Sequence, residues 1–282
     1  MAEAMARLFG VSFIGNQIRI RTDTDRATQA VTFLFGPHLC EPSVADTVEI
    51  ALLRASGRGG FELWLDGEVV VPWVDESDLE IALLQRAQYQ LVVSERRRAI
   101  VHGAALIQKE RGILMAAAAG SGKTTLTSWL LGHDHGFLSD ELAAIDTGGA
   151  MEGFGRPLNI KPGSVELLSQ CDWLRESFSH ARVSGAVTLL PWARSPATDV
   201  RLALILFPRY REGARFAVEK LSPGRAAADL MACLMNARNL AKHGLSFATN
   251  LTASRPCFRI TYSHMSDVSD WLASVRLEPY PA

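Results

Sequence analysis

Residues 115–131 read MAAAAGSGKTTLTSWLL, an apolar run, a loop of small residues and an amphipathic stretch. The order predicts a buried strand over Ile113–Ala117, a tight loop over Ala118–Gly122 and a helix opened by Lys123, Thr124 and Thr125. Strands and helices interleave from residue 99 onward, which points to an α/β core. Leu126, Leu130 and Leu131 are placed to face the sheet, with Trp129 beside them. Backbone N–H groups at such a helix start point at an anion, and the helix dipole favours negative charge there. Gly120, Ser121 and Gly122 suit close approach of the backbone to phosphate. In a Gly-x-x-x-x-Gly-Lys-[Ser/Thr] loop the lysine, here Lys123, reaches the β- and γ-phosphates, and the hydroxyl of Thr124 can hold Mg²⁺. Ala117 stands at the first glycine position, so the match is short by one residue.

The 282 residues suffice for one large domain or two smaller ones, and 48% apolar content supports a core. With 29 basic and 30 acidic residues the net charge is −1, without the basic excess that wrapping nucleic acid requires. Cys40, Cys171, Cys233 and Cys257 are scattered and form no C-x-x-C pair, which argues against zinc sites and disulfides and suits a reducing cytoplasm. MAEAMARLFG lacks the apolar core of a signal peptide, and no run approaches the ~20 apolar residues of a membrane span. A cytoplasmic protein with neither membrane nor nucleic-acid partners is expected.

Residues 1–94 are expected to form a small β-rich lobe ending in a connecting helix, and residues 95–282 the catalytic domain. In the lobe, VSFIGNQIRIR, AVTFLF (30–35), VEIALL (48–53) and FELWL (61–65) read as strands. Asp66-Gly67 turns a hairpin whose second strand ends at Pro72. Ser77-Asp78-Leu79-Glu80 has the form of a capping box, opening a helix to about Val93, with Arg96, Arg97 and Arg98 complementing its C-terminal dipole. Ala99–Ile107 reads as a buried strand interrupted at His102-Gly103. Phe137–Ser139 is a short strand ending in Asp140-Glu141, and Leu142–Ile145 continues beyond it. A short helix is expected after Ser164, a strand at 185–190 and a central strand at 201–210 cut by Pro208. ARFAVEKL (214–221) is expected to pair with that central strand across Glu212-Gly213. Ser222-Pro223 opens a helix carrying Ala227, Leu230, Met231 and Leu234, with Gly244 as its C-cap. A strand at 257–262 and a helix from Ser266 to Val275 complete the chain.

Asp140 and Glu141 are the candidate carboxylates, at a strand end about seventeen residues past Lys123, where such groups hold Mg²⁺ or take a proton from an acceptor hydroxyl. The bland account is a turn with two solvated acids. His102, inside an apolar strand, is as readily a core histidine as a catalyst on the residues alone. His133 and His135 read as a polar helix terminus. Arg209 and Arg211 follow a central strand and could stabilise phosphoryl charge or be a solvated turn, with Arg156 and Lys161 weaker candidates.

His-Gly, strand, GSGKT loop, helix and then Ser-Asp-Glu occur in the order found in the catalytic domain of HPr kinase/phosphorylase, and the chain resembles that family over roughly residues 95–275. RPLNIKPGS, LFPRYREG, LSPGRAAADL and PCFRITY resemble the wider group of HPr-kinase-related proteins, which includes lasso-peptide tail kinases. The resemblance implies a P-loop kinase core of the HPr kinase/PEP carboxykinase type. It implies ATP phosphates held by Lys123 and the loop amides from Ala119 to Thr125, and Mg²⁺ held by Thr124 with Asp140 or Glu141 through water. It also implies Asp140 as general base towards a serine hydroxyl, with His102 as its neighbour and orienter, and self-association of the chain. The Glu-x-Arg-Gly-Leu-Gly segment of the bifunctional enzymes has no counterpart, so neither phosphorolysis nor HPr as acceptor is implied.

The expected activity is ATP- and Mg²⁺-dependent transfer of the γ-phosphoryl group to serine of a peptide or protein. Two alternatives stay open: a small-molecule kinase on the same scaffold, and a nucleotide-binding regulator without catalysis, for which Ala117 is the best support.

Overall fold

Strand Ala99–Gln108 is the spine of the larger sheet. Its residues alternate between two packed faces. Ala99, Val101, Ala105 and Ile107 join one apolar cluster, with helices Pro223–Met231 and Leu245–Ala253. Ala104 and Leu106 join another, with helix Lys123–Leu131 and helix Met265–Ser274. A strand covered on both faces needs such a continuous apolar run. The computed structural model describes residues 6–43, 47–55, 59–117, 120–192 and 200–277.

The spine pairs antiparallel with Arg111–Ala116, which pairs in parallel with Arg201–Tyr210, which pairs in parallel with Cys257–Tyr262. Strand Ala217–Lys220 closes that edge against Cys257–Tyr262. On the spine's other side two short strands lie end to end. Gly136–Ser139 covers its second half and Leu142–Ile145 its first, the latter paired onward to Met151–Gly153. Asp140 and Glu141 fill the interval between them. Residues 232–236 cover the spine's remaining open edge: His102 N donates to Cys233 O (2.8 Å) and Ile100 N to the Asn236 Oδ1 (2.9 Å).

The N-terminal sheet has the order Leu39–Cys40, Arg7–Phe13, Asn16–Thr22, Val48–Arg54, Phe61–Leu65, Glu68–Val74. Helix Asp25–Phe35 is the crossover between the parallel strands Asn16–Thr22 and Val48–Arg54. Its apolar cluster includes Ile100, Leu142 and Ala144 of the larger sheet, so packing is continuous across residue 94. A third sheet joins Leu158–Ile160, Val187–Leu190 and Arg182–Ser184. The fold is mixed α/β. Among the described residues no helix is long and apolar enough to cross a membrane.

Several expectations are corrected. Residues 30–35 are helical, not extended. Thr24 caps the helix by accepting from Ala27 N (3.1 Å), and Ala27, Ala30, Val31, Leu34 and Phe35 form one buried stripe. VSFIGNQIRIR is a hairpin turned at Ile14-Gly15, both at positive φ. The capping box does not form: Asp75 accepts from Ser77 N (2.8 Å), while Glu80 is buried against Arg26 and Arg182. Arg98 donates to Ile14 O (2.9 Å), tying the hairpin down rather than complementing a dipole. The spine is unbroken at His102-Gly103, and Arg201–Tyr210 runs through Pro208. Ala217–Lys220 pairs with Cys257–Tyr262, not with Arg201–Tyr210. Leu158–Ile160 is a strand, and the helix expected after Ser164 begins at Pro162. Gly244, at φ 81°, starts helix Leu245–Ala253 rather than ending the previous one, which stops at Met231.

Candidate functional site

The glycine-rich loop runs from strand Arg111–Ala116 into helix Lys123–Leu131 beside a cleft of about 650 Å³. Gly120 and Gly122 adopt φ of 83° and 87°, which L side chains rarely tolerate. A Cβ on Gly122 would also fall 2.9 Å from the Tyr262 hydroxyl and 3.0 Å from Tyr210 Cβ. Tyr210 N donates to Ser121 O (3.3 Å), so the loop's second half is strapped to the strand beside it. Ala119 lies outside the described residues.

Lys123 is buried, its ammonium donating to Ala117 O (2.7 Å) and lying 3.3 Å from His102 Nε2. The His102 Nδ1 is 3.0 Å from Glu141 Oε1, and Glu141 Oε2 accepts from Arg156 Nη2 (2.9 Å). These contacts settle the imidazole tautomer. Nδ1–H donates to the carboxylate and the Nε2 lone pair accepts from the lysine. Burial pushes Glu141 upward, but the His102 hydrogen bond, Arg156 and Lys123 outweigh it and hold the carboxyl at about 2. Burial lowers Lys123, opposed by Glu141 and Asp140.

Asp140 has the opposite environment. It is 1% exposed, and neither carboxylate oxygen meets a partner at hydrogen-bond geometry among the described residues. Arg156 Nη2 stands 3.6 Å from Oδ1, and the Thr124 hydroxyl and the Asn159 amide lie close enough to favour its charge. Desolvation wins, and the Asp140 carboxyl sits above the usual range. Two adjacent acids thus have pKa values driven apart, a pattern found where groups divide acid–base roles. Ser139 shapes the turn that carries them, its buried hydroxyl accepting from Glu141 N (3.2 Å) and Leu142 N (3.0 Å).

The geometry gathers His102, Lys123, Thr124, Thr125, Gly120, Gly122, Asp140 and Glu141 on one cleft. His102 engages Glu141 rather than Asp140, contrary to the orienting role that the family resemblance implies. Thr124 and Asp140 fit a divalent cation: a hydroxyl beside a buried carboxylate is a hard oxygen pair, with Arg156 set back at 3.6 Å from the acid. Glu141 has both oxygens engaged and is no open ligand. Arg156 proves the most embedded of the arginines suggested by sequence. Arg209 and Arg211 are exposed on either side of Tyr210, and it is Tyr210 that reaches the cleft. His133 stacks on Trp129 at 4.7 Å, at the far end of the loop helix. Asn159, Ser164 and Lys161 also line the cleft, and the Ser164 hydroxyl lies 2.7 Å from that of Thr125. Sequence reasoning missed Ser139, Asn159 and Tyr210. The Ser-Asp-Glu spacing was the one available signal for the first.

No protein-family model matches this chain, and a search of curated proteins finds no match.

Proposed function

We propose that the chain is an ATP-dependent kinase that transfers the γ-phosphoryl group to a hydroxyl, with serine of a peptide or protein as acceptor. One observation carries the reading. A buried Asp140 with a raised pKa, facing Arg156 at 3.6 Å, shares a cleft with Lys123, Thr124 and the N-terminus of helix Lys123–Leu131. A carboxylate so placed takes the proton of an attacking hydroxyl, a contribution of roughly 10²–10⁴-fold. Lys123 and the loop amides would bind and orient the phosphates. His102, held by Glu141, fixes the resting position of Lys123 through its Nε2. Thr124 would hold Mg²⁺, with Asp140 reaching it through water, and the ion when bound neutralises charge on the transferred group.

The test is incubation with γ-labelled ATP, Mg²⁺ and a panel of serine-bearing peptides, followed by mass analysis of the labelled species. A labelled peptide supports the reading, and a labelled low-mass product selects a small-molecule kinase. Thermal stabilisation by ATP with no loss of γ-phosphate selects the regulator that Ala117 favours.

A further inference from the structure

The two ends of the cleft differ in chemistry. On one flank of the loop strand stands the spine, with His102 and the acid pair. On the other stand the parallel strands Arg201–Tyr210 and Cys257–Tyr262. This second end is lined by Tyr210, Ser263 and Met265, and Leu167 of helix Pro162–Ser169 lines the same cleft. Tyr210 is 51% exposed and Leu167 46% exposed. The Tyr210 ring is set edge-on to Tyr262 at 5.8 Å and 69°, and the Tyr262 hydroxyl lies 3.5 Å from Gly122 O. The exposed ring is therefore held in a fixed relation to the glycine-rich loop. Ser263 supplies one hydroxyl, which already accepts from Gly213 N (3.0 Å).

We propose that this end is a nucleobase subsite, with Tyr210 as the stacking platform and Leu167 and Met265 beside it. The inference rests on the cleft being a nucleotide site. Phosphates held by Lys123 and the loop amides on the flank that carries His102 and the acids leave the base to the opposite flank. What waits there is ring, thioether and aliphatic surface, which favours the face of a base over its edge. A site that reads faces discriminates weakly between purines, because selectivity needs edge donors and acceptors.

Equilibrium binding of ATP, GTP and inorganic tripolyphosphate, each with Mg²⁺, to the full chain separates the possibilities. Tyr210→Ala is expected to weaken ATP by about 5- to 100-fold, the range of one aromatic stack. Tripolyphosphate should bind unchanged, Tyr210→Phe should restore ATP, and Leu167→Ser should act in the same sense as Tyr210→Ala. ATP and GTP are expected within about ten-fold of each other. Equal weakening of ATP and tripolyphosphate, no weakening of either, or an effect confined to the KM of an acceptor overturns the subsite and leaves the nucleotide site standing. Failure of the unaltered protein to bind either ATP or tripolyphosphate removes the nucleotide reading and this proposal together.

Discussion

His102 donates to Glu141 across 3.0 Å, so the imidazole braces the second acid of the pair and not the first, Asp140, which faces Arg156 at 3.6 Å. The two acids divide the work: Glu141 is a fixed anion in a chain running Arg156, Glu141, His102, Lys123. Glu141→Gln and His102→Ala are each expected to cut phosphotransfer about 10- to 100-fold, as loss of a supporting partner does. The double variant should lose little more than either single one, because both break the same chain. Initial rates of the three variants measure this.

The depressed pKa of Glu141 sets a pH window. Its carboxyl falls from an ordinary 4.5 to about 2 in the folded chain, so the unfolded state binds more protons in between. The stabilisation is fully present above about 4.5 and is lost as pH falls towards 2. Urea unfolding from pH 5 to pH 2.5 should show a shallower fall in stability for Glu141→Gln than for the parent.

Asp140 titrates in the opposite sense. Its folded pKa is raised, so the cost of the buried charge is absent below the unfolded value of 3.8 and grows as pH rises through the folded one. Asp140→Asn is expected to lose about 10²–10⁴-fold in phosphotransfer. The same variant should melt higher at pH 8, by about 2–4 °C if the relief is about 1 kcal/mol. The gain should vanish near pH 3.5. Calorimetry at both pH values tests the sign.

Gly122→Ala places a Cβ against Tyr262 and Tyr210 at φ 87°. The loop's N–H groups would turn away from the cleft while both packed faces of the sheet stay intact. ATP binding should fall at least ten-fold with far-UV circular dichroism unchanged.

Asn236 is buried and makes three bonds. It accepts from Ile100 N (2.9 Å) and donates to Glu95 O (3.0 Å) and Arg98 O (2.8 Å). Asn236→Ala removes the partner of Ile100 N and Arg98 O, while Glu95 O keeps Asn239 at 3.3 Å, and should cost about 3 kcal/mol. The midpoint of urea unfolding should shift with the slope unchanged.

The legible parts of this fold are those whose signal is local. Strand, glycine-rich loop and helix over 111–131 are encoded within twenty-odd neighbouring residues, and the hairpin at Asp66-Gly67 within a dozen. Helix Asp25–Phe35 was readable from its Thr24 cap and its stripe, but the six residues from Ala30 are apolar enough to pass for a strand. Strand partners lie beyond local pattern: Ala217–Lys220 skips its neighbour in sequence for Cys257–Tyr262. The environment of Asp140 is also long-range, because Thr124 comes from the loop helix while Arg156 and Asn159 come from one stretch more than thirty residues further on. Arg156 sits in a Pro/Gly stretch with no periodicity to mark it, so only the folded chain reveals that it touches both acids.

Next to their interruption the two short strands share one alignment with the spine: Ser139 faces Ala105 and Leu142 faces His102, three residues apart on both strands, while beyond Ser139 the register slips by one residue to pair Phe137 with Leu106. The interval is therefore of set length, clamped by ladders at each end. Substituting either side chain changes the chemistry of the site but leaves the length of the interval intact. Inserting or deleting a single residue there would unseat one ladder or the other, so length variation is expected in surface loops and not at this point.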